Sequence, residues 1–286
     1  MNEFDELLRS EVNRRAFLTR MSAAGLGAAA VALLAGCGGG SGTLVTPGAP
    51  TPTPGTSFFD ATNFPGVVGR NYNEVVLNFA LTLEILEADL YRQALNLASG
   101  RALTAALDTN PPASGSLGGY SQKVGSGSIA SNLVFPAFLY LVQYSYVETA
   151  HRDFLRVVLA SLGAPVVQPN PKGYTTGLTS SASLSDILKV LLIAEEEGTR
   201  AYHGAAGFMT DSTLLTNAAA IYSTECRHSA AVQYVLGNDP GPAFQAGDKN
   251  ITGTVGPNPA PYSNNTFEYL RDPKQVLQDV QPFVVK

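Results

Sequence analysis

Tryptophan is absent from this 286-residue chain, cysteine occurs twice, histidine and methionine three times each, and only 14% of the side chains are charged. Two cysteines give no scope for a disulfide framework, so stability has to come from an apolar core. A hydrophobic content of 45% over this length is ample for one main domain. Basic charge is also scarce. Eighteen Lys and Arg face 23 Asp and Glu, for a formal charge of −5, and no Lys or Arg run occurs beyond the N-terminus. That balance leaves no electrostatic footprint for nucleic acid, which is excluded as a partner. Alternating strand patterns are lacking too, which points to an all-helical chain.

The few histidines are placed tellingly. Two of the three lie one helical turn after a glutamate, as Glu148-Thr149-Ala150-His151 and Glu225-Cys226-Arg227-His228, each inside a long apolar-periodic segment. With twelve glutamates in 286 residues, a given histidine meets that condition by chance about 4% of the time, so a double coincidence is a poor explanation. A Glu and a His three residues apart share a helix face. Two such helices facing each other offer two carboxylates and two imidazoles to one point.

The N-terminus reads as an export signal over residues 1–36. Arg14-Arg15-Ala16-Phe17-Leu18 precedes an uncharged Ala/Gly/Leu stretch from Met21 to Gly36, and this segment resembles a twin-arginine leader. The stretch is small-residue-rich and falls short of the roughly 20 residues that span a bilayer. It ends in Leu34-Ala35-Gly36-Cys37, which resembles a lipobox and predicts lipidation of Cys37 at a mature N-terminus. Cleavage there removes four acids and four arginines and leaves the charge at −5. Cys226 then has no intrachain partner. Residues 37–65, rich in Gly, Thr, Pro and Ser, read as a flexible tether.

Residues 66–240 carry four long amphipathic patterns. The first runs from Tyr72 to Ser99 with Leu77, Leu81, Glu84, Ala88, Tyr91 and Leu95 on one face. A long Gly/Ser/Pro-rich insertion at 101–130 follows, with a short helix expected near Leu103 to Leu107. The second spans Asn132 to Leu162, with Leu141, Tyr144, Glu148, His151, Leu155, Val158 and Leu162 inward. The third starts at Ser183 or Ser185 and runs to Thr210, aligning Leu188, Leu191, Glu195, Gly198 and Tyr202. The fourth, Ser212 to Leu236, aligns Ile221, Glu225, His228 and Val232 and stops at Gly237. Four such helices predict a four-helix bundle. Residues 241–286 read as an irregular tail packed on it, with a short helix between Pro273 and Val280.

The helices repeat as a pair. Glu84 is followed by Tyr91 and Glu195 by Tyr202, both at seven residues or two turns, so each tyrosine shares its glutamate's face and can orient a ligand on a neighbouring helix. The core would thus hold Glu84, Glu148, Glu195, Glu225, His151 and His228. Four bare carboxylates are untenable in a low-dielectric interior, and two divalent cations cancel their charge. Oxygen and imidazole donors without thiolate favour two iron ions, or manganese, or a mixed pair, with zinc left open. Glu87, one turn after Glu84, is the alternative to it and otherwise supports the site from behind the ligands, as do Tyr91 and Tyr202. Of the consecutive Glu195, Glu196 and Glu197, the apolar stripe selects Glu195 and leaves the other two to solvent. His203 is read as a non-ligand and Cys226 as a small buried hydrophobe.

These motifs, from Leu83-Glu84-Ile85-Leu86-Glu87-Ala88-Asp89-Leu90-Tyr91 to Glu225-x-x-His228, resemble the ferritin-like superfamily, in particular exported bacterial ferritin-like domain proteins of the desiccation-related type. The resemblance spans Tyr72 to Gly237. It implies an all-α ferritin-like bundle, with Glu84 and Glu195 as terminal ligands, Glu148 and Glu225 bridging, and one histidine per metal. It also implies reaction with oxygen or peroxide. The lipoprotein-like anchor, the insertion and the tail speak against a hollow cage, and other oligomers are left open. Two functions stay open at this point: a membrane-tethered periplasmic or cell-surface metal protein that oxidises ferrous iron or consumes peroxide in stress protection, and a structural stress-tolerance bundle of the envelope without turnover.

Overall fold

The computed structural model describes residues 67–259 and 266–286. The leader, Cys37 and the whole of the predicted tether lie outside these residues. Four long helices carry the fold: α1 Tyr72–Ala98, α2 Val134–Ser161, α3 Leu184–Ala206 and α4 Ser212–Leu236. A short α5, Pro273–Asp279, follows. The described residues form isolated β-bridges but no strand. No helix among them is long and apolar enough to cross a membrane.

Local chemistry sets the helix ends. The Asn71 side chain accepts from the Glu74 amide at 3.1 Å to start α1. Ser183 and Asp186 form a reciprocal capping box on α3. Asp211 accepts from the Thr213 and Leu214 amides, both at 2.9 Å, to start α4. Gly237 ends α4 at φ 80°, a left-handed conformation that suits glycine. The third helix stops at Ala206 rather than Thr210, where the Asn73 side chain takes the Thr210 and Asp211 amides at 2.8 and 3.2 Å that a longer helix would bond within itself.

In the bundle α1 lies against α2 and α3, and α4 closes the square against the same two helices. The sequence pattern gives α1 one inward stripe, whereas the structure buries nearly its whole circumference. The connection from α2 to α3 covers its other side: Asn78 donates to Pro165 O at 2.9 Å and accepts from the Val167 amide at 2.8 Å, and Gln93 donates to Tyr174 O at 2.8 Å. The short helix expected near Leu103 to Leu107 does not form. Arg92 and Asn96 on α1 take the carbonyls of Leu103 and Ala105, which a helix would need for itself. Leu162, expected inward, caps α2 and is 41% exposed.

The tail is anchored on α3 by a buried ion network. Arg271 reaches Asp248 at 2.6 Å, Glu197 at 2.7 Å and Asp279 at 2.7 Å, and Arg200 reaches Asp248 at 2.8 Å and Glu196 at 2.7 Å. Glu197, expected in solvent, is only 3% exposed, and Glu196 is half-buried and accepts from Ser229 and Gln233. The two expectations fail for different reasons: Arg271 of the tail covers Glu197, and Ser229 and Gln233 of α4 take up Glu196, and the periodicity of α3 registers neither contact.

Candidate metal centre

Near the midpoint of each long helix one carboxylate turns inward: Glu84 from α1, Glu148 from α2, Glu195 from α3 and Glu225 from α4. All four are fully buried, and His228 is 4% exposed. His151 is the most open of the six, with 13% of its side chain reachable. One donor atom from each of Glu84, Glu148, His151 and Glu225 lies within 4.8 Å of the others, and the same holds for Glu148, Glu195, Glu225 and His228. Glu148 and Glu225 thus belong to both groups.

Both imidazoles present Nδ1 to the acids. His151 Nδ1 lies 3.1 Å from Glu148 Oε2, 3.1 Å from Glu225 Oε1 and 3.6 Å from Glu84 Oε2. His228 Nδ1 lies 2.7 Å from Glu148 Oε1 and 3.6 Å from Glu195 Oε2. The tyrosines cross over between the outer helices: Tyr202 on α3 donates to Glu84 Oε1 at 2.6 Å, and Tyr91 on α1 donates to Glu195 Oε1. Each terminal carboxylate is thereby held on one oxygen, while its second oxygen faces the cluster.

Those second oxygens decide what the site can hold. Glu84 Oε2, Glu148 Oε1, Glu195 Oε2, both oxygens of Glu225 and His228 Nδ1 are buried without an aligned hydrogen-bond partner among the described residues. The 2.7 Å approach of His228 to Glu148 is close enough for a hydrogen bond but wrongly directed. A buried polar atom left unpaired costs about 1–3 kcal/mol, and six gathered at one place are not tolerated as ordinary packing. Lone pairs that converge on common points, instead of on donors, suit a pair of cations. The donor set of carboxylate oxygens and imidazole nitrogens fits hard to borderline divalent metals.

The electrostatics carry the same signature. Burial, reinforced by repulsion from Glu148, holds the Glu225 carboxyl well above the ordinary range, and burial likewise raises Glu84 and Glu195 against the pull of the histidines. Glu148 is the exception. Burial would raise it too, but His228 and His151 outweigh that and bring it down to about 2. Burial alone would strip both imidazoles of their protons; Glu84 and Glu148 around His151, and Glu195 and Glu148 around His228, keep them protonated far above the usual histidine range. Protons therefore stand in for cations, as the net acid charge requires.

The ferritin-like domain family matches the sequence over residues 73–238, from the first turn of α1 to just past α4. The chain belongs to the ferritin-like domain family. No curated protein matches it.

Around the six residues the ferritin-like bundle adds features that the motifs do not spell out. Glu87 is 3% exposed, and its carboxyl is held well above the usual range by burial and by the neighbouring acids, Glu225 foremost. Its room comes from Gly198: a methyl group there would lie 3.0 Å from Glu87 Oε1 and 3.2 Å from Glu225 Oε2. Gly198 occupies the place on α3 that a histidine takes in the Glu-x-x-His pairs. Tyr144 stacks on His228 with ring centroids 3.7 Å apart. Its position four residues before Glu148 puts it on the ligand face, the one sequence signal that marks it. His203 lies elsewhere, with Nδ1 3.3 Å from Tyr269 O under the tail. Cys226 is a free, half-buried thiol beside Tyr222 and Thr199, more open than a core hydrophobe.

Proposed function

We propose that this ferritin-like chain is a dinuclear metal protein, exported and tethered to the membrane through Cys37, that oxidises ferrous iron or consumes peroxide in protection of the cell envelope. The observation that carries the metal reading is the set of buried, unpartnered polar atoms of four carboxylates and a histidine gathered at mid-bundle. Glu84 and His151 would hold one ion, Glu195 and His228 the other, with Glu148 and Glu225 bridging. Two iron ions, two manganese ions or one of each satisfy the four carboxylate charges of that set. When bound, such a pair supplies electron exchange with oxygen or peroxide.

The protein's own groups do the rest. Tyr91 and Tyr202 fix the terminal carboxylates by hydrogen bonds, so the ligand geometry is set before metal arrives. The apolar layers of Leu81, Leu141, Leu188 and Leu191, all fully buried, keep bulk water from the acids. The partly open edge at His151 gives small reactants their approach. Export rests on the Arg14-Arg15 leader, and tethering on Leu34-Ala35-Gly36-Cys37. A twin-arginine route carries folded protein, which lets the metal be chosen before export.

Elemental analysis of the purified full chain, after reconstitution with ferrous iron or manganese, tests the reading. About two ions per chain are expected, with Glu148→Ala and His151→Ala each cutting that number and the accompanying rise in melting temperature. Fewer than about one ion per wild-type chain sinks it.

A further inference from the structure

The rings at the site do not stop at His228. Tyr144 lies almost flat against that imidazole, with centroids 3.7 Å apart and planes 24° from parallel, and Tyr140, one turn earlier on α2, stacks on Tyr144 at 5.5 Å and 4°. Tyr91, which donates to Glu195, meets Tyr144 edge-on at 6.4 Å. Both Tyr140 and Tyr144 are half-buried, so a continuous file of rings leads from a buried ligand nitrogen to the outside of α2. Isolated aromatic pairs settle into offset or edge contacts for packing alone. A run of imidazole, phenol and phenol, close-stacked at the imidazole and parallel but offset at the outer phenol, also sets two oxidisable rings at the short separations across which an electron passes.

Resting on the metal-binding reading above, we propose that Tyr144 and Tyr140 form an electron relay between the metal pair and the protein surface. Peroxide needs two electrons and two protons to become two waters. Two ferrous ions supply both electrons, but a chain holding one ferrous ion supplies only one. In that case Tyr144 gives the second electron by way of the His228 ring and releases its phenolic proton, one of the two that the waters take up; the other comes from solvent. Tyr140 then passes an electron to the Tyr144 radical with its own proton following, which moves the unpaired electron to the surface. There an external one-electron reductant, such as ascorbate, restores the phenol with a proton from water. The relay completes peroxide reduction in a half-loaded chain and keeps the oxidising equivalent away from the ligands.

The test loads the full protein with one ferrous equivalent per chain, mixes it with one equivalent of hydrogen peroxide, and reads the freeze-quenched sample by electron paramagnetic resonance alongside its iron content. Wild-type protein should give a tyrosyl signal that ascorbate removes quickly. Tyr144→Phe, which keeps the ring but loses the hydroxyl, should bind the same iron and lose the signal at least tenfold. Tyr140→Phe should keep the signal, now confined to Tyr144, and slow its removal by ascorbate several-fold. Bound iron with no signal in the wild type overturns the relay, as does a signal that survives Tyr144→Phe or disappears in Tyr91→Phe instead. Should Tyr144→Phe lose iron along with the signal, Tyr140→Phe decides: slower ascorbate quenching supports the relay and an unchanged rate overturns it. A wild type that takes up no iron overturns the metal reading and the relay together.

Discussion

Glu225 offers two oxygens to the interior, neither with an aligned donor, and Glu148 of α2 is the acid that repels it most. In the metal-free protein this side chain is a liability, since burial and a like charge both oppose its ionised form. Glu225→Gln should therefore raise the stability of the metal-free protein, by about 1–3 kcal/mol at neutral pH, while reducing the stabilisation that added metal provides. Thermal melts of both proteins in chelator and in excess ferrous or manganous ion check this; a variant that melts lower than wild type in chelator would show that Glu225 is held by the fold and not for a cation. Single residues of this kind were readable from spacing. The two Glu-x-x-His pairs and the seven-residue Glu–Tyr intervals select the six side chains that the structure gathers, because a helix face is a local property. Glu87 was not fully readable. Whether it points into the cluster depends on Gly198 of another helix, and no periodicity along α1 contains that information.

The elements divide along the same line. Four long helices follow from apolar period, and Ser183 and Gly237 mark ends in the sequence as they do in space, while the caps Asn71 and Asp211 emerge from the structure. Docking of the tail is another matter, because it is decided by contacts between residues distant in sequence. At Gly204 on α3 the tail backbone passes so close that an added methyl group would sit 1.9 Å from Arg271 O. That approach brings Arg271 to Glu197 and Asp248, and so turns a glutamate with a solvent-like pattern into a buried one. Gly204→Ala improves helix propensity by up to about 1 kcal/mol. It nonetheless has to displace backbone, and overpacking of that kind costs about 1–3 kcal/mol or more, besides loosening a buried ion network. The variant should melt several degrees lower, at about 2–4 °C per kcal/mol. An unchanged or higher melting temperature would mean that the tail contributes nothing to the stability of the bundle.

For the molecule as a whole, folding is coupled to the charge it encloses. In the metal-free state Glu84, Glu87, Glu195 and Glu225 have folded-state proton affinities above the ordinary glutamate value of 4.5, and His151 and His228 lie above the ordinary 6.5. A raised group of either kind stabilises fully below its ordinary value and loses that contribution as pH climbs toward the folded one. Glu148, lowered to about 2, contributes constantly above the ordinary glutamate range and is lost only in strong acid. Metal-free protein should accordingly weaken as pH rises from 5 to 8. Metal acts in the opposite sense, because ions displace protons from the same ligands and bind more tightly as those protons leave. The stabilisation from a ligand bound only by the folded state grows with its saturation, reaching about 2.7 kcal/mol at one hundred times Kd. The gap in melting temperature between metal-loaded and chelator-treated protein should therefore widen steadily from pH 5 to pH 8, at about 2–4 °C for each kcal/mol gained. Parallel melting curves in the two conditions across that range would mean that the enclosed acids and the added ion do not share a site.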